Sequence, residues 1–118
     1  MSAAELLAWY IALHNSGIET SDFGPLFALF ADDAIFEFKD SSIGVFQGKE
    51  AIMNPFINRP PSSTIVVSKI EESGQTVRAT YADTNNPFVR LGSIRLESNG
   101  EKIRRILVAN QFWGITLC

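Results

Sequence analysis

The hydrophobic positions of this chain change period several times, and each change marks an element. From Ser2 to Ser16 apolar residues recur three and four apart, with Ala3, Leu7 and Ile11 in one row and Leu6, Tyr10 and Leu13 in the next. That spacing puts them on one broad face of an amphipathic helix over residues 2–16. Ser2, with Glu5 three residues on, makes a capping-box pattern at its start, and Gly17 is placed to end it. A second helix is expected over residues 22–31, with Ser21 or Asp22 at its start and Pro25 in its first turn, where a missing N–H costs least.

The stretch Leu26 to Phe38, LFALFADDAIFEF, carries a helix, its stop and a strand together. Leu26, Phe27, Leu29 and Phe30 keep helical spacing, Asp32 and Asp33 read as the turn, and strand-like alternation follows over residues 34–40. Residues 43–46 predict a short second strand. Gln47-Gly48-Lys49-Glu50 opens a third helix to about Ile57, in which Pro55 should force a kink or an early end. Residues 58–63, NRPPSS, are a loop by composition. Four strand-like runs remain, at 64–71, 76–83, 88–97 and 102–112, with turns at Ser73-Gly74, Thr84 to Pro87 and Asn99-Gly100. Helices gathered over a mostly antiparallel sheet make one α+β domain over residues 1–118.

The composition narrows the function classes. Apolar residues make up 46% of the 118 and charged residues 19%, which suits a packed core. The net charge of -3 and the scattered basic residues argue against a nucleic-acid surface. Cys118 is the one cysteine and His14 the one histidine, so an internal disulfide, a cysteine metal site and a multi-histidine site are excluded, and no cofactor is implied. The apolar run Leu6 to Leu13 has no basic segment before it and is broken by His14 and Asn15, so neither a membrane span nor an export signal is expected. A cytoplasmic protein is the expectation.

Four segments, WYIALHNSG (9–17), LFALFADDAIFEF (26–38), GVFQGKEAIMNPF (44–56) and SIRLESNGEKIRRILV (93–108), together resemble the NTF2-like superfamily, which includes SnoaL-like and ketosteroid-isomerase-like domains. The resemblance implies a cone: a curved, mixed, mostly antiparallel sheet of about six strands, with three helices in the N-terminal half enclosing an apolar cavity. It implies no single chemistry, since the superfamily holds isomerases, dehydratases, polyketide cyclases, epoxide hydrolases and non-catalytic domains. Set against ketosteroid isomerases, Tyr10 matches the oxyanion tyrosine, whereas Phe38 stands where the base belongs and Gly92 near the second donor. The cyclase-type base position carried onto the last strand reads Asn110, and Arg90 with Asp40 or Asp83 only approximates an epoxide-hydrolase pair.

Alternation assigns the faces. Phe36, Phe38 and Asp40 share the inward side of the first strand, with Glu37 and Lys39 outward; Arg90, Gly92, Ile94 and Leu96 face inward from the fifth; Tyr10 and His14 share a helix face. The family register adds Ile106, Val108, Asn110 and Phe112. The candidates are thus Tyr10, His14 and Asp40 for acid–base chemistry, and Phe36, Phe38, Arg90, Ile94, Ile106, Val108, Asn110 and Phe112 for a small apolar ligand. Each polar one also has a structural role open to it: Tyr10 as core aromatic, His14 favouring the helix dipole, Asp40 in a turn. Leu91, Leu107, Ala109 and Trp113 are apolar on the outward face, which predicts a homodimer through the sheet. Three readings follow: a small acid–base enzyme of lyase, isomerase or hydrolase type, a non-catalytic binding domain, and an assembly domain.

Overall fold

The computed structural model describes residues 2–39 and 44–110. In chain order the elements are α1 (Ala3–Thr20), α2 (Gly24–Phe27), β1 (Phe30–Lys39), β2 (Gly44–Gln47), α3 (Lys49–Asn58), β3 (Ile65–Ser73), β4 (Thr76–Asp83), β5 (Asn86–Ser98) and β6 (Ile103–Asn110). The six strands form one sheet in the order β2-β1-β6-β5-β4-β3. Among the described residues only the β1–β6 pairing is parallel; the other four are antiparallel. The mixed α+β architecture is the expected one. Among the described residues no helix is long and apolar enough to cross a membrane.

The start of α1 is tied down by three hydrogen bonds. Ser2 Oγ accepts from the Glu5 N–H at 3.1 Å, Glu5 Oε1 accepts from the Ser2 N–H at 3.0 Å, and Glu72 Oε2 accepts from the Ala4 N–H at 2.8 Å. The capping box is therefore as expected, and a carboxylate from β3 adds to it at the positive end of the helix dipole. The helix buries Ala3, Leu6, Leu7, Tyr10, His14 and Gly17 along one face.

Gly17 does not end the helix. The chain stays helical to Thr20, and Ser21 takes the left-handed capping conformation at φ 62°. Gly17 serves packing instead: a Cβ there would overlap the Phe23 ring seated against it. The second helix is also shorter than its apolar spacing suggests. It stops at Phe27, and the Leu29 carbonyl accepts from the Ile103 N–H at 2.8 Å, which draws the following residues into the sheet. Asp32 and Asp33 consequently lie inside β1, not in a turn. The register against β6 slips between Phe30 and Ile35, and both acidic side chains are exposed. Pro55 is accommodated inside α3, which ends three residues later with the Arg59 N–H on the Pro55 carbonyl at 2.8 Å.

Irregularities in the sheet supply its curvature. Lys69 in β3 has φ 52°, where the register slips between Ser68 and Glu71. The β4–β5 register slips on both sides of Ala82. Bulges of this kind bend a strand and raise its twist. Gly92 lies against β6 with no room for a side chain: a Cβ there would overlap the Ala109 carbonyl oxygen and sit 2.8 Å from the Tyr81 hydroxyl. Between α1 and the concave face lie Phe30, Phe36, Val77, Leu96, Ile103 and Ile106, all buried.

Gly92→Ala is expected to cost about 3 kcal/mol, the upper end for overpacking, because the obstruction is backbone. Gly17→Ala should cost less, since a side-chain ring can turn aside. Urea unfolding of both variants measures this; a Gly92→Ala midpoint equal to the wild type would refute the close approach.

Candidate functional site

On the concave side, β1 contributes Phe36 and Phe38, β4 Tyr81, β5 Ile94, β6 Val108, the start of β3 Ile65, and α1 Tyr10 and His14. These eight residues enclose a chamber of about 20 Å³. That is room for a single water molecule. Among the described residues its walls are otherwise apolar, and the polar side chains in the lining are Tyr10, His14 and Tyr81. All three are nearly fully buried, at 3%, 3% and 2% exposure. Tyr10 stacks obliquely on His14, ring centroids 6.0 Å apart, and meets Phe30 edge-on at 6.3 Å.

The neighbour of His14 decides its state. Asn15 Nδ2 donates to the Ile65 carbonyl at 2.8 Å, and Asn15 Oδ1 accepts from the Ile65 N–H at 3.0 Å. This pair of bonds mimics a strand partner for the first residue of β3 and fixes the amide orientation. The oxygen thus faces His14 Nδ1, 3.1 Å away. Nδ1 must carry the proton in that contact, which leaves Nε2 with a lone pair in the neutral ring. Burial lowers the His14 pKa from its usual 6.5, partly offset by the bond to Asn15. The site therefore holds a neutral imidazole, two phenols and no charged group among its described lining.

Of the residues expected here, Tyr10, His14, Phe36, Phe38, Ile94 and Val108 come together. Ile106 is fully buried on the same face but belongs to the core rather than to the chamber wall. Arg90 is a correction. Strict alternation would turn it inward beside Gly92, but Tyr81 pairs with Gly92 while Ala82 pairs with Arg90, so Leu91 is an extra residue in β5. From Asn86 to Arg90 every residue of β5 is exposed, and Arg90 does not reach the chamber. Asn110 pairs through its backbone with Gly92 at the end of β6. Asp40, Phe112 and Trp113 lie outside the described residues.

Tyr81, Ile65 and Asn15 were not anticipated. Alternation through Val77, Ala79 and Tyr81 carries the signal for Tyr81, whereas nothing local marks Asn15, whose partner lies 50 residues away. On the outward face Leu107 stands between Glu37 and Arg95, and Ala109 between Lys39 and Ser93, so polar side chains interleave the apolar ones. Leu91 is half-buried and packs against the core. Among the described residues no group of three acidic, histidine or cysteine side chains is placed to hold a metal.

A second concavity, an open groove of about 830 Å³, lies between the end of α1, α2, α3 and the loop after α3. Its surfaces come mainly from Ile18, Phe23, Phe27, Met53, Phe56 and Ile57.

No protein-family model matches the chain, and no curated protein matches it. Solved structures do. An NTF2-like protein of unknown function from Cytophaga hutchinsonii superposes with a TM-score of 0.68 at 19% identity, over 92% of this chain and 88% of that one. A protein of unknown function with a cystatin-like fold from Methylobium petroleophilum gives 0.66 at 19% identity, over 97% and 80%. A de novo designed protein with a curved β-sheet gives 0.67 at 17% identity, over 94% and 88%. The fold is thus NTF2-like, as the sequence implied, and at these identities the likeness extends to the fold alone.

The His14 pKa gives a pH signature. In the fold burial makes the ring harder to protonate, while the unfolded ring takes up a proton below its usual 6.5. The unfolded state then binds more protons, so this group lowers stability as pH falls through 6.5 toward the folded pKa, and has no such effect above it. Comparing urea unfolding of the wild type and His14→Gln at about pH 7.5 and about pH 5.5 brackets the unperturbed value. The wild type should lose more stability than the variant over that interval; equal losses would show that His14 titrates normally.

Proposed function

We propose that this protein binds a small, uncharged, largely apolar molecule bearing a carbonyl or hydroxyl oxygen, with the oxygen placed among Tyr10, His14 and Tyr81. The observation that carries the proposal is the convergence of these three hydrogen-bonding side chains on a chamber otherwise walled by Phe36, Phe38, Ile65, Ile94 and Val108. Apolar walls with few polar groups are the usual make-up of a small-molecule site. The absence of charge from the described lining selects for neutral ligands, because a buried ion without a counter-charge is strongly penalised. Phenol hydroxyls suit a carbonyl acceptor, and the neutral imidazole adds an acceptor for a ligand hydroxyl. The chamber holds one water's volume as it stands, so a ligand must displace aromatic side chains to enter.

The neutral state of His14 favours a second reading of the same chamber, as a proton-transfer site. There His14 Nε2 would be the general base and Tyr10 the donor that stabilises a developing oxyanion. Phe38 offers no carboxylate, so the imidazole would carry the proton alone among the described residues.

A thermal-shift screen tests the binding proposal. Neutral ketones, phenols and epoxides should raise the melting temperature, as any ligand of the native state must by mass action, while fatty carboxylates should not. Tyr10→Phe and Tyr81→Phe should each weaken a hit about tenfold, typical of one lost net hydrogen bond. If no member of the panel raises the melting temperature, the interior is packing. The outward sheet face then becomes the functional surface, and Leu107→Glu should convert a dimer to monomers by light scattering.

A further inference from the structure

The chamber and the groove are lined by neighbouring residues of α1 and by two phenylalanines in contact. Along α1 the residues Tyr10 and His14 face the chamber, and Gly17, less than one turn further, faces the groove. What separates them is aromatic. Phe36 belongs to the chamber wall and Phe56 to the groove, and their rings meet edge to face with centroids 6.3 Å apart. Phe56 also touches Phe23 at 5.3 Å and Phe27 at 5.8 Å. Phe23 in turn occupies the space that Gly17 leaves open by having no side chain.

The partition is packed into the core, and the helix end that carries it is the place where it could open. Phe56 lies in the last turn of α3, directly after Pro55, which contributes no N–H to the helix. That turn is closed by the Arg59 N–H on the Pro55 carbonyl, and the chain then runs through Pro60 and Pro61 with no regular structure. Helix ends with few hydrogen bonds are the first to open.

We infer that the groove is the outer part of the same ligand site, separated from the chamber by Phe56, and that the ligand is an elongated neutral molecule. Its oxygen-bearing end occupies the chamber, and its apolar tail lies along the groove. The inference rests on the binding reading above and adds the ligand's shape and route. The groove volume falls within the range of sites that take up drug-sized ligands. Charge sets the class. Among the described residues no lysine, arginine or histidine lines the groove, and the one carboxylate there, Asp22, accepts from the Gly24 N–H at 2.9 Å. Among the described residues a fatty carboxylate would find no counter-charge in either part, whereas a long-chain ketone or alcohol brings no charge that needs one.

The test is calorimetric titration with straight-chain methyl ketones from butanone to undecanone, on the wild type, Tyr10→Phe and Ile57→Lys. Ile57 lines the groove and is 63% exposed, so a lysine there spares the core. In the wild type affinity should rise with chain length, by up to about fourfold per methylene, the full value for removing one from water. Ile57→Lys should flatten that rise and leave the shortest ketones unaffected, while Tyr10→Phe should weaken all members by one common factor. Phe56→Leu should speed association of the long ketones; an unchanged rate would overturn Phe56 as the partition. Binding that depends on Tyr10 but not on chain length would overturn the groove's role and leave the binding reading standing. Length-dependent binding indifferent to Tyr10→Phe would make the groove a separate site and overturn the joined one. Silence across the whole series would remove both.

Discussion

The parallel pairing of β1 with β6 holds this structure together. It joins the strand that follows the first helices to the last strand of the meander, from Phe30 opposite Ile103 to Lys39 opposite Ala109. Without it the chain would be two halves, each with one apolar face exposed to water. With it, Phe36 and Phe38 stand beside Ile106 and Val108, and the concave surface that α1 covers exists at all. Because the paired residues are about 70 positions apart, this contact must form against a large loop-closure cost, and folding should wait on it.

Much of this arrangement is legible in the residues. The alternation of Phe36 and Phe38 against Glu37 places the aromatics inside, and Glu37 meets Arg105 on the outside at 2.7 Å. The chain-wide order of helices and strands is set by the change from helical to strand period, and every expected strand is present. What is not legible arises where a tertiary contact overrides a local rule. Gly17 looks like a helix stop, but it is a seat for Phe23, a fact about a residue six positions away. Arg90 looks inward by parity, but the extra residue at Leu91 breaks parity. Asp32 and Asp33 look like a turn, yet they lie in the irregular stretch of β1 between Phe30 and Ile35, which pair with the last strand on either side.

The site shows the same division. Tyr10 and His14 are placed by the helix period, and their apolar company is placed by the strands. The protonation state of His14 comes from elsewhere: the amide of Asn15 is oriented by Ile65, and that orientation dictates which ring nitrogen keeps its hydrogen. A side chain that reads as ordinary helix-end polarity thus connects α1, the first residue of β3 and the chemistry available in the chamber. The fold builds the walls, and a few such polar contacts decide what the walls can hold.

The bulge at Lys69 has a consequence beyond curvature. Among the described residues β3 is an outer strand of the sheet, with no strand partner on one side. Such a strand is a template on which another chain can add by backbone pairing. Ile70, 54% exposed on that strand, would be the sticky residue. It is flanked by a left-handed lysine that breaks the regular spacing of N–H and C=O groups, and by Glu71, whose charge would oppose an identical strand laid alongside. At the opposite border, β2 is only four residues long. The same irregularity that bends β3 also makes it a poor template for a further strand, so curvature and edge protection come from one residue.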